Sequence, residues 1–207
     1  MALVKYNNNS ISAVTSAASI PSGALTHIKT LTASSSSTLS FVDGSSDVVL
    51  DSTYPIYVFK FINCHPATDN VRFEMNMSAD GGSNYNITKT TTFFQTWHNE
   101  ADTETTLEYA STSDLAQSTG TQRFNNGLGN DNDHSITGTL HLFNPSSTTF
   151  VKHFISTFNQ VYYTDYSINM FVSGYANTTS AVNGIQFSMS SGNIDSGTIK
   201  LYGIKDS

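Results

Sequence analysis

The stretch Val71-Arg72-Phe73-Glu74-Met75-Asn76-Met77 alternates strictly between apolar and polar residues. Successive side chains of an extended chain point to opposite faces, so Val71, Phe73, Met75 and Met77 share one face of a half-buried β-strand. Reading outward from it finds the same period repeatedly. Upstream, Ile56 to Ile62 is apolar on both faces apart from Lys60, which predicts a central strand covered on both sides. Leu39 and Phe41 mark a strand that ends at the turn Asp43-Gly44. Downstream, Ile136 to Leu142, Tyr166 to Val172 and Ile185 to Met189 alternate again. The last strand runs from Thr198 to Ile204, with Ile199 and Leu201 on one face and Tyr202 on the other. Phe150, Phe154 and Phe158 fit one face of a helix or of a strand; the β-branched Val151 and Ile155 and nearby Thr residues favour strand. A short helical turn is expected near Ser113 to Gln117, and a loop over residues 125–134.

That makes eight to ten strands with no helix long enough to cross between parallel ones. The expected fold is all-β, an antiparallel β-sandwich that is jelly-roll-like. Residues 25–207 read as its single domain. Residues 1–24 are small and polar, with Asn7 to Asn9 and an Ala/Ser run ending at Pro21-Ser22-Gly23, and read as an extended N-terminal arm or tether.

Composition narrows the function. Of 207 residues, 38% are hydrophobic, 12% aromatic and only 12% charged, against a usual quarter charged. Thirteen Phe and ten Tyr argue against disorder and for a pleated, half-buried surface. The net charge is −7 and Lys/Arg residues do not cluster, so no nucleic-acid partner is expected. Cys64 is the only cysteine and reads as a buried, inert thiol. No run of 18 apolar residues occurs and the first residues do not form a signal peptide, so neither membrane insertion nor export is expected.

Candidate chemistry is sparse. His98-Asn99-Glu100 with Asp102, and Asp131-Asn132-Asp133-His134, each collect cation ligands. The second lacks the glycine and the late bidentate Glu of an EF-hand, so both read as solvated turns of Asx side chains, with no metal and no cofactor. His141 and His153 fall within strands and suit cross-strand pairing. There is no Gly-x-Ser-x-Gly elbow and no phosphate-cradling loop, and the acids cluster in loops, apart from Glu74 on the outward side of its strand. The expectation is a non-enzymatic protein. Aromatics are the remaining signal. Trp97, the only Trp, adjoins His98; Tyr162, Tyr163 and Tyr166 form a second cluster. Either could be a platform for a sugar ring, although core packing or a subunit contact accounts for the same residues and is the plainer reading.

Certain stretches occur together in a suggestive order: Asp51-Ser-Thr-Tyr54-Pro-Ile-Tyr57, Asn63-Cys-His-Pro66-Ala-Thr-Asp69, Ser78-Ala-Asp80-Gly81-Gly82-Ser83-Asn84-Tyr85, Gly138-Thr-Leu140-His-Leu142-Phe-Asn-Pro145 and Ser196-Gly-Thr198-Ile-Lys-Leu201-Tyr202-Gly203-Ile204. With the opening Met1-Ala-Leu-Val-Lys-Tyr-Asn-Asn-Asn-Ser-Ile-Ser-Ala-Val-Thr15, this order resembles a family of bacteriophage virion structural proteins common in marine phages, including those of cyanobacteria. The resemblance covers most of the chain. It implies a virion location and a surface role as a capsid decoration, appendage or tail-fibre subunit. The expected partners are further copies, as a homotrimer, and other virion proteins docked through the arm. The alternative is a receptor-recognition module that binds a host-surface glycan. The resemblance carries no catalytic residues. The quoted motifs also suit folding: Asp80-Gly81-Gly82-Ser83 is a strong turn, and Gly203 suggests a bulge or a close backbone approach.

Overall fold

The computed structural model describes residues 25–205. Alternation in the sequence becomes twelve strands: β1 (Leu25–Thr32), β2 (Thr38–Val42), β3 (Ile56–Pro66), β4 (Phe73–Ser78), β5 (Lys89–Asn99), β6 (Thr105–Tyr109), β7 (Gln122–Arg123), β8 (Ile136–Phe143), β9 (Lys152–Val161), β10 (Tyr166–Ala176), β11 (Gly184–Met189) and β12 (Ile194–Ile204). No helix occurs among the described residues.

Pairing is antiparallel throughout and nested from the ends inward. β1 pairs with β12, β2 with β11, β3 with β8 and β4 with β7. β12 also pairs with β3, and β11 with β4. A long hairpin rolled up so that consecutive pairs fall in alternate sheets gives this order, and it is the jelly roll. Two hairpins are inserted into it. β5–β6 and β9–β10 join the β8 edge and extend one sheet to the order β1-β12-β3-β8-β9-β10-β5-β6. The other sheet keeps four strands, β2-β11-β4-β7.

The core lies between the sheets and is aromatic at its centre. Phe61 and Phe158 from the large sheet meet Phe73 and Phe187 from the small one, with Phe61 centroids 4.9 Å from both Phe158 and Phe187 and 5.6 Å from Phe73. Each well-oriented pair adds about 0.5–1.5 kcal/mol beyond its area burial. Val71, Phe73, Met75 and Met77 are all buried, as their alternation predicts. Burial pushes the Cys64 thiol up to about 12, which leaves it un-ionised and inert. Gly203 meets the expected close approach: a Cβ there would stand 2.3 Å from Cγ of Tyr54, whose ring covers it.

Three expectations need correction. Strand β3 is covered along its whole length on one face only: Tyr57, Phe59 and Phe61 are buried, whereas on the outer side Val58 is buried but Lys60 is exposed and Ile62 is 42% exposed. Phe154 and Phe158 share the inner face of β9, but Phe150 precedes the strand and is 70% exposed. Ser113 to Gln117 forms no helical turn. Side chains capture its backbone instead: Leu115 N donates to Thr91 Oγ1 (2.8 Å) and Gln122 Nε2 donates to Ser113 O (3.0 Å). The proposed arm, residues 1–24, lies outside the described residues.

Candidate functional site

The inserted hairpins create a concavity. Beyond β7 the small sheet stops, while β10, β5 and β6 continue. The segment after β6 returns along the β5 edge, with Ala110 N donating to Phe93 O (2.9 Å) and Thr91 N to Leu115 O (2.9 Å). Strand alternation puts Thr91, Phe93, Gln95 and Trp97 of β5 on the inner side. Phe93 is sealed in the core, but the Trp97 end opens into a cleft of about 330 Å³.

Trp97, Tyr162, Tyr166 and Ile168 line the cleft together with Gln95, Glu104, Glu108, Asn126 and Thr164. Trp97 is opposite Ile168 on β10 and Thr106 on β6. Tyr162 and Tyr166 meet edge to face, centroids 5.9 Å apart at 84°, across the β9–β10 turn. All three rings pack partly buried against the core. A chain of hydrogen bonds runs behind them. Ser113 Oγ donates to Asn126 Oδ1 (2.8 Å), Asn126 Nδ2 to Gln95 Oε1 (3.0 Å), and Gln95 Nε2 to Glu108 Oε1 (2.8 Å). Tyr166 donates its hydroxyl to Glu104 Oε2 at 3.0 Å, and this bond raises its pKa. Burial, reinforced by neighbouring Tyr163, raises Tyr162 to about 12. Both tyrosines are therefore donors at neutral pH.

The structure thus brings Trp97, Tyr162 and Tyr166 into one site and leaves the other two candidates out. His98 follows Trp97 in a strand, so it points to the opposite, outer face. There it bonds Asp102 (2.9 Å) beside a shallow hollow with Thr96, Leu107 and Ser167. Tyr163 stacks at a tilt on Tyr162, centroids 4.5 Å apart, without lining the cleft. Sequence reading missed Gln95, Glu104, Glu108 and Asn126. Their signal was faint, namely the inner-face period Phe93, Gln95, Trp97 and the alternation of Thr105 to Tyr109.

The histidines resolve separately. His153 and Tyr175 are cross-strand partners with rings 6.0 Å apart, as strand placement suggests. His134 is buried, with Nε2 3.3 Å from Asp165, and belongs to a polar hollow containing His65, Asp133 and Asp195. Among the described residues no group of three or more His, Cys, Asp or Glu is placed to share one metal ion. No family model, curated protein or solved structure matches this chain.

Proposed function

We propose that the chain is a non-enzymatic subunit of a bacteriophage particle. It is displayed on the surface as a capsid decoration, appendage or tail-fibre subunit, and acts by associating with copies of itself, as a trimer, and with other virion proteins. The virion assignment rests on the sequence resemblance. The assembly part rests on the outer face of the large sheet.

That face spans eight strands and is partly apolar. Leu107 and Tyr109 of edge strand β6 are 71% and 54% exposed, and Phe94 stacks on Phe171 at 4.7 Å beside them. Cross-strand register carries the row from Tyr109 through Phe94, Phe171, Thr157 and Thr139 to Lys60 and Lys200. The strand residues of this row carry no carboxylate, although the chain carries −7; Asp102 and Asp114, bonded to His98 and Tyr109, stand at its β6 margin, and Asp195 lies at one end of β12. Two acidic copies repel less along such a row than where carboxylates face one another. Strand β6 is also an edge without Lys or Pro, the usual protections against pairing. A second copy is the occupant that fits both features.

Light scattering on the purified chain and labelling of intact particles with a specific antibody test the reading. The expected results are a mass of three chains and regular surface labelling. A monomer at high protein concentration rejects the assembly part; particles free of the protein reject the virion part.

A further inference from the structure

The cleft opens on the inner side of β5 and β6, opposite the proposed assembly surface, although Trp97 borders both. We propose that this cleft is a binding site for a neutral saccharide.

The aromatic wall supplies the first half of the case. Trp97, Tyr162 and Tyr166 are anchored against the core yet open to the cleft. The C–H face of a pyranose covers such rings and leaves its hydroxyls directed sideways, where polar groups can read them. Those polar groups are present and already oriented. Gln95, only 4% exposed, fixes Glu108 through one oxygen, and Tyr166 fixes Glu104 through one oxygen. Among the described residues no donor reaches Glu108 Oε2 or Glu104 Oε1. Each is a charged acceptor held ready for a hydroxyl, which makes a stronger bond than a neutral acceptor does. Pre-orientation by Gln95 and Asn126 lowers the ordering cost of binding.

Charge and size then select the ligand. Among the described residues no Lys, Arg or His lines the cleft, so an anionic sugar would meet the two carboxylates with no cation in contact. About 330 Å³ lies at the small end of the ~300–1,000 Å³ range of ligand sites and suits a short saccharide or a chain terminus. Uncharged amide and hydroxyl groups from Gln95, Asn126 and Thr164 surround the acids, which matches a polyol better than a bare cation.

Trp97 is the only tryptophan, so its emission reports from this cleft and from the outer hollow that it also borders, and the cleft variants assign the response. The experiment titrates the full chain with neutral oligosaccharides of glucose, galactose, mannose and N-acetylglucosamine, with sialylated and sulfated counterparts, and with choline as a cationic probe. The expected result is a saturable emission change with at least one neutral series. Glu108→Gln should weaken it at least tenfold at unchanged melting temperature, and Tyr166→Phe, which frees Glu104, should weaken it as well. Thr92→Ala, on the outer face, should leave it unaltered. The proposal is overturned by the absence of a saturable response to every neutral series, by tighter binding of the charged probes, or by full affinity in both cleft variants. Shortened saccharide products would overturn it too, since the two carboxylates would then be hydrolytic. Oligomeric mass measured on the same samples keeps this outcome separate from that of the assembly reading.

Discussion

Lys89 and Lys152 are fully buried, and both are in register with Ala176 on the strand between them. Lys89 Nζ donates to Asn76 Oδ1 (2.6 Å) and Ile87 O (2.7 Å); Lys152 Nζ donates to Phe150 O (2.9 Å) and Thr178 O (3.1 Å). Neither has a carboxylate partner among the described residues. Burial lowers Lys89 to about 8, while the unfolded chain keeps the ordinary lysine value of 10.5. Between those values the unfolded state binds more protons, so this residue makes the protein more stable as pH rises from 8 to 10.5. Cys64 and Tyr57, whose pKa values burial raises, act in the opposite direction at high pH. Comparison with Lys89→Met cancels their effect. The stability advantage of Lys89→Met over the natural chain should shrink by up to about 3 kcal/mol between pH 8 and 10.5 in urea unfolding curves. A pH-independent difference would contradict a lowered pKa for the buried Lys89. The neighbouring pair Trp97 and His98 shows what residue-level reading lacked. Strand geometry separates them onto two faces, but the doublet Phe93-Phe94 and the Thr run before it hid the alternation that would have revealed the strand.

At the scale of elements, strands that bury one full face were legible. β4, β8, β10, β11 and β12 each put apolar residues at every second position because the opposite sheet demands it. β6 and β7 were not. β6 is exposed on both sides, and β7 has two residues, so neither is shaped by a hydrophobic face. The cleft inherits this limit, since two of its acids come from β6 and the turn before it. The exposed edge carries its own expectation. Leu107→Glu puts a charge on the outer face of β6 where no buried contact is lost. It should convert the assembled form to monomer in light scattering while shifting the melting temperature by no more than a few degrees. An unchanged mass would remove β6 from the interface.

For the molecule as a whole, the sequence showed the fold class through strand count and the lack of crossover helices. It did not show which strands meet. Nesting is a property of long-range pairing, such as Leu25 with Ile204, and no local pattern encodes it. The two inserted hairpins were equally invisible, since inside the sandwich they look like any other strands. This topology makes the sheet depend on its final strand. β12 lies between β1 and β3, with Ile194, Ile199 and Leu201 buried. A chain ending at Asn193 should lack the dispersed amide spectrum and cooperative melting of the natural one; a native-like spectrum would show that β1 and β3 can close the gap without it.

That placement has a bearing on synthesis. A ribosome delivers β1 long before β12, and among the described residues β1 has no other partner in its sheet. Until β12 emerges the nascent chain holds an open sheet with two unpaired strands, β1 and one side of β3. Completion of the sheet is thus tied to the emergence of β12, and a product cut short before it lacks the strand that joins β1 to β3.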